Sequence, residues 1–216
     1  MEETISSFKL TPRIHLRRYK PSDIDLICML NEDEGVMKYI DSEPPSREEV
    51  EEEVQEIIQA YNFNPRTGKW IAETPTAEGM EFIGWFRLGD LDQFSQECFS
   101  NANTESKEKG LRLELGYRIR RRFWGQGLAT EGGRALVRYA FCSLNVTQVV
   151  AGTMFVNSGS RRVMEKCGLK HVKTLYLEFR DPLPGTELGE VFYAITREEW
   201  VDSVGNCEET ISNGLE

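Results

Sequence analysis

A cationic glycine turn lies between an alternating segment and a helical pattern, and it restricts the folds open to this chain more than any other feature. From Leu111 to Ile119 the residues alternate. Leu111, Leu113, Leu115, Tyr117 and Ile119 share one face, and Arg112, Glu114, Gly116, Arg118 and Arg120 the other. That is the period of a half-buried strand. The chain continues Arg118-Ile119-Arg120-Arg121-Arg122-Phe123-Trp124-Gly125-Gln126-Gly127-Leu128-Ala129-Thr130-Glu131, although its formal net charge is -10. Leu128, Ala135, Leu136, Tyr139 and Ala140 then mark a helix to about Cys142. Glycine lets backbone N–H groups approach a ligand closely, and a helix N-terminus attracts negative charge. Strand, glycine turn and helix together make a device for holding phosphates.

The flanking elements set the fold class. Arg13 to Tyr19 reads as a strand, and Ser22 as the N-cap of a helix with Ile24, Ile27, Cys28 and Leu30 on one stripe. Val36 to Ile40 is a helical turn or the end of a loop. Ser46 and Glu49 have capping-box spacing ahead of Val50, Val54, Ile57, Ile58 and Tyr61. The Glu48–Glu53 run reads as the solvated face of that helix. Lys69–Glu73 and Glu81–Leu88 are two strands joined as a hairpin. The polar stretch from Asp90 to Gly110 reads as a long loop. Gln148–Phe155 is a buried strand, Asn157-Ser158-Gly159-Ser160 opens a helix that Gly168 ends, and Lys173–Phe179 and Glu190–Thr196 close the chain. Gly132 and Gly133 inside a helix point to close packing on the sheet. Helices and strands alternate too irregularly for a doubly wound sheet, so a mixed sheet covered by helices, an α+β layered fold, is expected. Residues 1–8 read as a flexible tail, 9–202 as one domain and 203–216 as a disordered acidic tail.

Composition narrows the function classes. A net acidic chain argues against nucleic acid as partner. No apolar run is long enough to cross a membrane, and the acidic start Met1-Glu2-Glu3 lacks the features of a signal peptide. With five scattered cysteines this points to a cytoplasmic location. Two histidines and no paired cysteines give no zinc pattern, so no metal is expected. Among phosphate turns, a P-loop needs Gly-Lys-Ser/Thr, which is absent. A dinucleotide turn needs a third glycine where Thr130 stands, and no acidic residue ends the next strand.

Arg122-Phe123-Trp124-Gly125-Gln126-Gly127 instead resembles the Q/R-x-x-G-x-G/A turn of the GNAT superfamily of N-acetyltransferases. Leu113-Glu114-Leu115-Gly116-Tyr117-Arg118-Ile119 resembles the preceding strand in the branch of ribosomal-protein alanine acetyltransferases (RimJ/RimL-like). Asn157 to Leu169 is similar to the family's second cofactor segment, and Val191 to Ile195 to its last strand. The resemblance implies a mixed, mostly antiparallel seven-stranded sheet, splayed in the middle, with helices on both faces. It implies acetyl-CoA as co-substrate and direct transfer of acetyl to a primary amine, of a protein N-terminus or a small molecule. A catalytically inactive CoA-binding module of the same fold is the alternative. A homodimer is compatible with it. The pyrophosphate would sit on the N–H groups of Gln126, Gly127, Leu128, Ala129 and Thr130, with Gly125 also in the cofactor-binding set, and the pantetheine would pair with the backbone of Tyr117, Arg118 and Ile119. Asn157 and Ser160 would face them, with Arg121, Arg122 and Arg161 attracting the ribose phosphate. Glu114 is the first candidate base, with Arg112 or Arg118 as its alternative structural partner, and Glu178 the second. Met164 stands where many members place an acidic tyrosine, which leaves Ser160, or Tyr193, to protonate the thiolate.

Overall fold

The computed structural model describes residues 7–91, 93–100 and 110–204. Residues 1–6, the second half of the expected 90–110 loop and the tail from 205 lie outside the described residues. Eight strands form one sheet: β1 (Ser7–Thr11), β2 (Ile14–Arg17), β3 (Gly68–Thr76), β4 (Gly79–Gly89), β5 (Arg112–Ile119), β6 (Gln148–Met154), β7 (Lys170–Leu175) and β8 (Glu190–Thr196). Their order is β1-β2-β3-β4-β5-β6-β8-β7, and only the β5–β6 pair is parallel. The helices are α1 (Ile24–Asn31), α2 (Glu34–Met37), α3 (Arg47–Ala60), α4 (Gln93–Ser100), α5 (Leu128–Ser143), α6 (Ser158–Lys166) and α7 (Arg197–Val204). None of them is long and apolar enough to cross a membrane.

Local chemistry accounts for the main elements. Ser46 and Glu49 form the expected capping box: Ser46 N–H donates to Glu49 Oε2 at 2.7 Å, and Glu49 N–H to Ser46 Oγ at 3.3 Å. Such a cap is worth about 1 kcal/mol. Val50 and Val54 are fully buried while Glu48, Glu49, Glu51 and Glu52 are exposed, so the acidic run is a solvated face. With α1, this helix covers one side of the sheet over Ile71 and Phe82. The opposite side carries α5 and α6 over Phe86, Leu113, Leu115 and Ile195. Gly132 explains how closely α5 approaches. A Cβ there would lie 2.3 Å from the Phe86 ring, so the glycine trades helix propensity for contact with the sheet.

The structure corrects five sequence expectations. Among the described residues the sheet has eight strands, not seven, because Ser7–Thr11 pairs antiparallel with β2 and so draws Ser7 and Phe8 of the expected tail into the sheet. Ser22 is not a cap. Pro21–Asp23 form a 3-10 turn, in which Asp23 accepts from Lys20 N–H at 2.7 Å and pairs with Arg17. The polar stretch after Asp90 contains α4, which buries Cys98 and Phe99 against Val150 and Phe192. The Lys173–Phe179 strand lies earlier, at Lys170–Leu175, because its pairing with β8 begins at Lys170↔Ala194. Finally, α7 continues past residue 202, anchored by buried Trp200 against Phe141.

Candidate active site

The site exists because two neighbouring strands part. β5 and β6 pair only at Arg112↔Gln148, Leu113↔Val149 and Glu114↔Val150. Beyond Glu114, β5 stays on β4 as far as Gly84↔Ile119, while β6 stays on β8 as far as Met154↔Glu190. The expected splay is therefore present, and a cleft of two adjoining cavities opens in it, ≈ 520 and ≈ 330 Å³. Tyr39, Ile40, Tyr117, Arg118, Asn157 and Ser160 line both.

The glycine turn walls the larger cavity. Arg121–Phe123 make one 3-10 turn, and Gly125 and Gly127 follow at φ +73° and +79°, where side chains are disfavoured. Gly127 caps α5 without a side-chain hydrogen bond. Among the described residues no side chain caps the N–H groups of the first helical turn. A Cβ on Gly125 would meet nothing within 4 Å. Gly125, Gly127, Leu128, Ala129 and Thr130 line the cavity, which is a fit for a phosphate group. Gln126 does not line it. Its Nε2 donates to Arg122 O at 3.1 Å, and its carbonyl accepts from Arg13 Nη1 at 3.1 Å. Arg13 also pairs with Glu131, which accepts from Thr11 Oγ1 as well. Burial raises the Glu131 carboxyl, but those bonds outweigh it and hold the group below its ordinary value. The β1–β2 hairpin is thereby clamped to the start of α5.

The arginines are used differently from expectation. Arg122 pairs with Glu81 at 2.7 Å, and Arg121 lies 3.7 Å from Asp33. Arg161 turns to the closing strand, donating to Tyr193 Oη at 3.1 Å and Phe155 O at 3.2 Å. Arg162 and Lys166, one and five residues further on, line the larger cavity instead. Helical periodicity decides which neighbour faces the cleft, and a motif alone does not show that phase. Ile119 O accepts from the Trp124 indole N–H at 2.6 Å, so one carbonyl of the open β5 edge is already engaged.

The second segment holds the junction of the two cavities. Asn157 caps α6, its Oδ1 accepting from Ser160 N–H at 3.1 Å and its Nδ2 donating to Thr153 Oγ1 at 3.1 Å. It is a cap and a cleft residue at once. Tyr117 Oη donates to Ser160 O at 3.0 Å and lies 3.1 Å from Ser160 Oγ. Burial pushes the Tyr117 phenol up, so it stays protonated. Met164, 1% exposed, lines the smaller cavity without a polar atom that can donate. Tyr193 lines neither cavity; its hydroxyl bonds Arg161 and Glu165 in the core.

The smaller cavity carries the carboxylates. Glu114 lines it, but both its oxygens are engaged: Oε2 with Arg87 Nη1 at 2.5 Å and Oε1 with Ser95 Oγ at 3.1 Å. Its partner is Arg87 of β4, not Arg112 or Arg118. Glu178 is exposed on the loop after β7 and is not among the lining residues. Glu190, which sequence reading passed over as the first residue of a closing strand, also lines the cavity. It pairs with no cation among the described residues, and burial pushes its carboxyl above the ordinary value. The available signal was a carboxylate at the head of the apolar run Val191–Ile195. No group of three or more His, Cys, Asp or Glu side chains among the described residues is placed to hold a metal ion.

Comparison with known proteins agrees with this geometry. A family model described as an acetyltransferase (GNAT) domain matches residues 13–170. The FsC-acetyl coenzyme A-N(2)-transacetylase of Aspergillus fumigatus is 36% identical over 201 residues, which is 90% of this chain and 80% of that protein. Two solved structures share the fold. RimL, a ribosomal L7/L12 alpha-N-protein acetyltransferase in complex with coenzyme A, has TM-score 0.65 at 15% identity, covering 88% of this chain and 97% of that one. The microcin C7 self-immunity acetyltransferase MccE, in complex with acetyl-CoA and AMP, has TM-score 0.66 at 14% identity, covering 88% and 96%. On this match and this cleft, the chain belongs to the GNAT acetyltransferase family and is an N-acetyltransferase.

Proposed function

We propose that the chain transfers the acetyl group of acetyl-CoA directly to a primary amine held in the smaller cavity. The observation that carries the reading is the splay beyond Glu114. It joins a cavity walled by an uncapped, glycine-led helix start to one lined by two carboxylates. Gly125, Gly127 and Leu128 to Thr130 would hold the pyrophosphate, and the open edge of Tyr117 to Ile119 the pantetheine. Bound there, acetyl-CoA supplies an activated acyl group whose sulfur is a good leaving group.

The chain's own residues then manage protons. An alkyl ammonium titrates near 10.4 and an N-terminal one near 7.7–8.0, so the nucleophile must lose a proton. Glu190 suits that task better than Glu114, because accepting a proton on Glu114 means giving up Arg87 or Ser95. The amine nitrogen bonds to the acyl carbon, the carbon–sulfur bond breaks, and Ser160 is placed to protonate the departing sulfur. The acidic lining favours a cationic acceptor. The relative's N(2) specificity supports an amine of that type, and Leu113–Ile119 supports membership of the RimJ/RimL-like branch. Met164 favours the second reading, a CoA-binding module without catalysis, since no acid stands there.

Incubating the protein with acetyl-CoA and a panel of amines, with thiol release as readout, tests the proposal. Release dependent on an amine is expected. Tight CoA binding with no release on any amine would select the inactive module.

A further inference from the structure

We propose that Trp124 is a cofactor-positioning residue. Its indole N–H fixes the strand edge that takes the pantetheine arm against the turn that takes the pyrophosphate, so that one CoA molecule engages both together and in a single register. The inference rests on the acetyl-CoA reading above and assigns a role to a residue which that reading leaves unused.

Strand alternation shows which backbone groups the splay exposes. Arg120 N–H donates to Ile83 O at 2.9 Å, so the even-numbered residues of β5 turn their backbone groups towards β4. Thr147 N–H donates to Leu111 O at 2.9 Å, so the odd-numbered ones turn towards β6. Beyond Glu114 the β5–β6 pairing has ended, and the N–H and C=O groups of Tyr117 and Ile119 therefore face the cleft. Of these, the Ile119 carbonyl is taken by Trp124 Nε1 at 2.6 Å. Tyr117 N–H, Tyr117 C=O and Ile119 N–H remain, in that order along the edge. An amide arm lying on this edge finds its acceptor at Tyr117 and not one step further on, which sets its register.

Trp124 also stands at the start of the phosphate turn. Its backbone N–H donates to Arg121 O at 3.0 Å, which closes the 3-10 turn, and Gly125 follows at φ +73°. The turn's other ties lead away from the open edge: Arg122 reaches Glu81 of β4, and the Gln126 carbonyl accepts from Arg13 of the β1–β2 hairpin. The indole instead joins the turn to the edge itself. Its ring is 50% exposed and lines the larger cavity but not the smaller, so it lies on the cofactor's side of the cleft and within reach of a ligand. Two anchors for one molecule reinforce each other only when their spacing lets both engage at once. The Trp124–Ile119 bond holds that spacing.

CoA and its two halves, pantetheine and 3′-phosphoadenosine 5′-diphosphate, make the test. Each is titrated calorimetrically into the wild type and into Trp124→Phe, which keeps a ring at the cavity wall and loses the N–H. We expect CoA affinity to fall about fivefold or more, the order of one hydrogen bond, while affinity for each half changes less than about twofold and Tm stays close to the wild type. A residue that merely supports the fold would weaken all three ligands together. Exchange of the Trp124 indole proton, followed by NMR in the wild type with and without CoA, carries the test if the variant does not fold. Protection that is kept or increased with CoA is expected. Unchanged CoA affinity, an equal loss for CoA and both halves, or an indole proton that loses protection when CoA binds overturns the positioning role alone. A wild type that binds neither CoA nor either half overturns it together with the acetyl-CoA reading.

Discussion

Gly132→Ala sets two effects of known size against each other, and the structure decides which wins. Alanine in a helix interior is favoured over glycine by about 1 kcal/mol. Its Cβ would lie 2.3, 2.6 and 2.9 Å from three atoms of the Phe86 ring, well inside ordinary contact. Phe86 is fully buried, with the Tyr117 ring 6.2 Å away, so it has no open side to move into. Overpacking of this kind costs about 1–3 kcal/mol, and contacts this close belong in the upper half of that range. The net expectation is a loss of about 1–2 kcal/mol, or about 2–8 °C in Tm for a domain of this size. Gly159→Ala provides the comparison. Asn157 Oδ1 is the nearest atom to the new Cβ there, at 3.7 Å, so stability should rise by about 0.4–1 kcal/mol. Urea unfolding followed by circular dichroism measures both. A Gly132→Ala protein as stable as the wild type, or more so, would refute the close-packing argument for this helix.

Glu190→Gln should lower kcat/KM by about 100-fold or more, the range of general base catalysis, and Glu114→Gln should cost less activity but more stability, because it strands Arg87. The wild-type kcat/KM should rise with pH through the raised Glu190 value, since the base works deprotonated, and the variant should lose that limb. Linkage gives the stability sign. A carboxyl raised by burial penalises the folded state increasingly as pH rises through that window. Glu190→Gln should therefore be no less stable than the wild type at neutral pH, and a lower Tm there would indicate a structural role. Ser160→Ala should reduce kcat by about tenfold or more with CoA affinity retained. Tyr117→Phe, which leaves the Ser160 hydroxyl in place, should reduce it less, as steady-state kinetics at saturating acetyl-CoA would show.

The parts of the site readable from the chain were those that local backbone chemistry dictates. The glycines of the turn, the Asn157 cap and the alternation of β5 all depend on residues within a few positions of one another. What the chain hid depends on partners far away in sequence. Glu114 is held by Arg87, 27 residues earlier, and Arg122 by Glu81. Neither pairing can be read before the β4–β5 register is known. Glu190 matters only because β8 follows β6 to the mouth of the splay. The short helices α4 and α7, eight residues each, were too brief to show a period against their polar surroundings.

Calorimetric titration of CoA into the wild type and Gly127→Asp tests the central claim most directly. Aspartate tolerates the left-handed conformation better than most residues and is a good N-cap, and the nearest atom to its Cβ would be Arg13 Nη2 at 3.9 Å. The fold should survive, with Tm little changed. The carboxylate would occupy the N–H groups assigned to the pyrophosphate and repel it, so CoA affinity should fall by about 100-fold or more. A folded Gly127→Asp protein that binds CoA as tightly as the wild type would contradict the account.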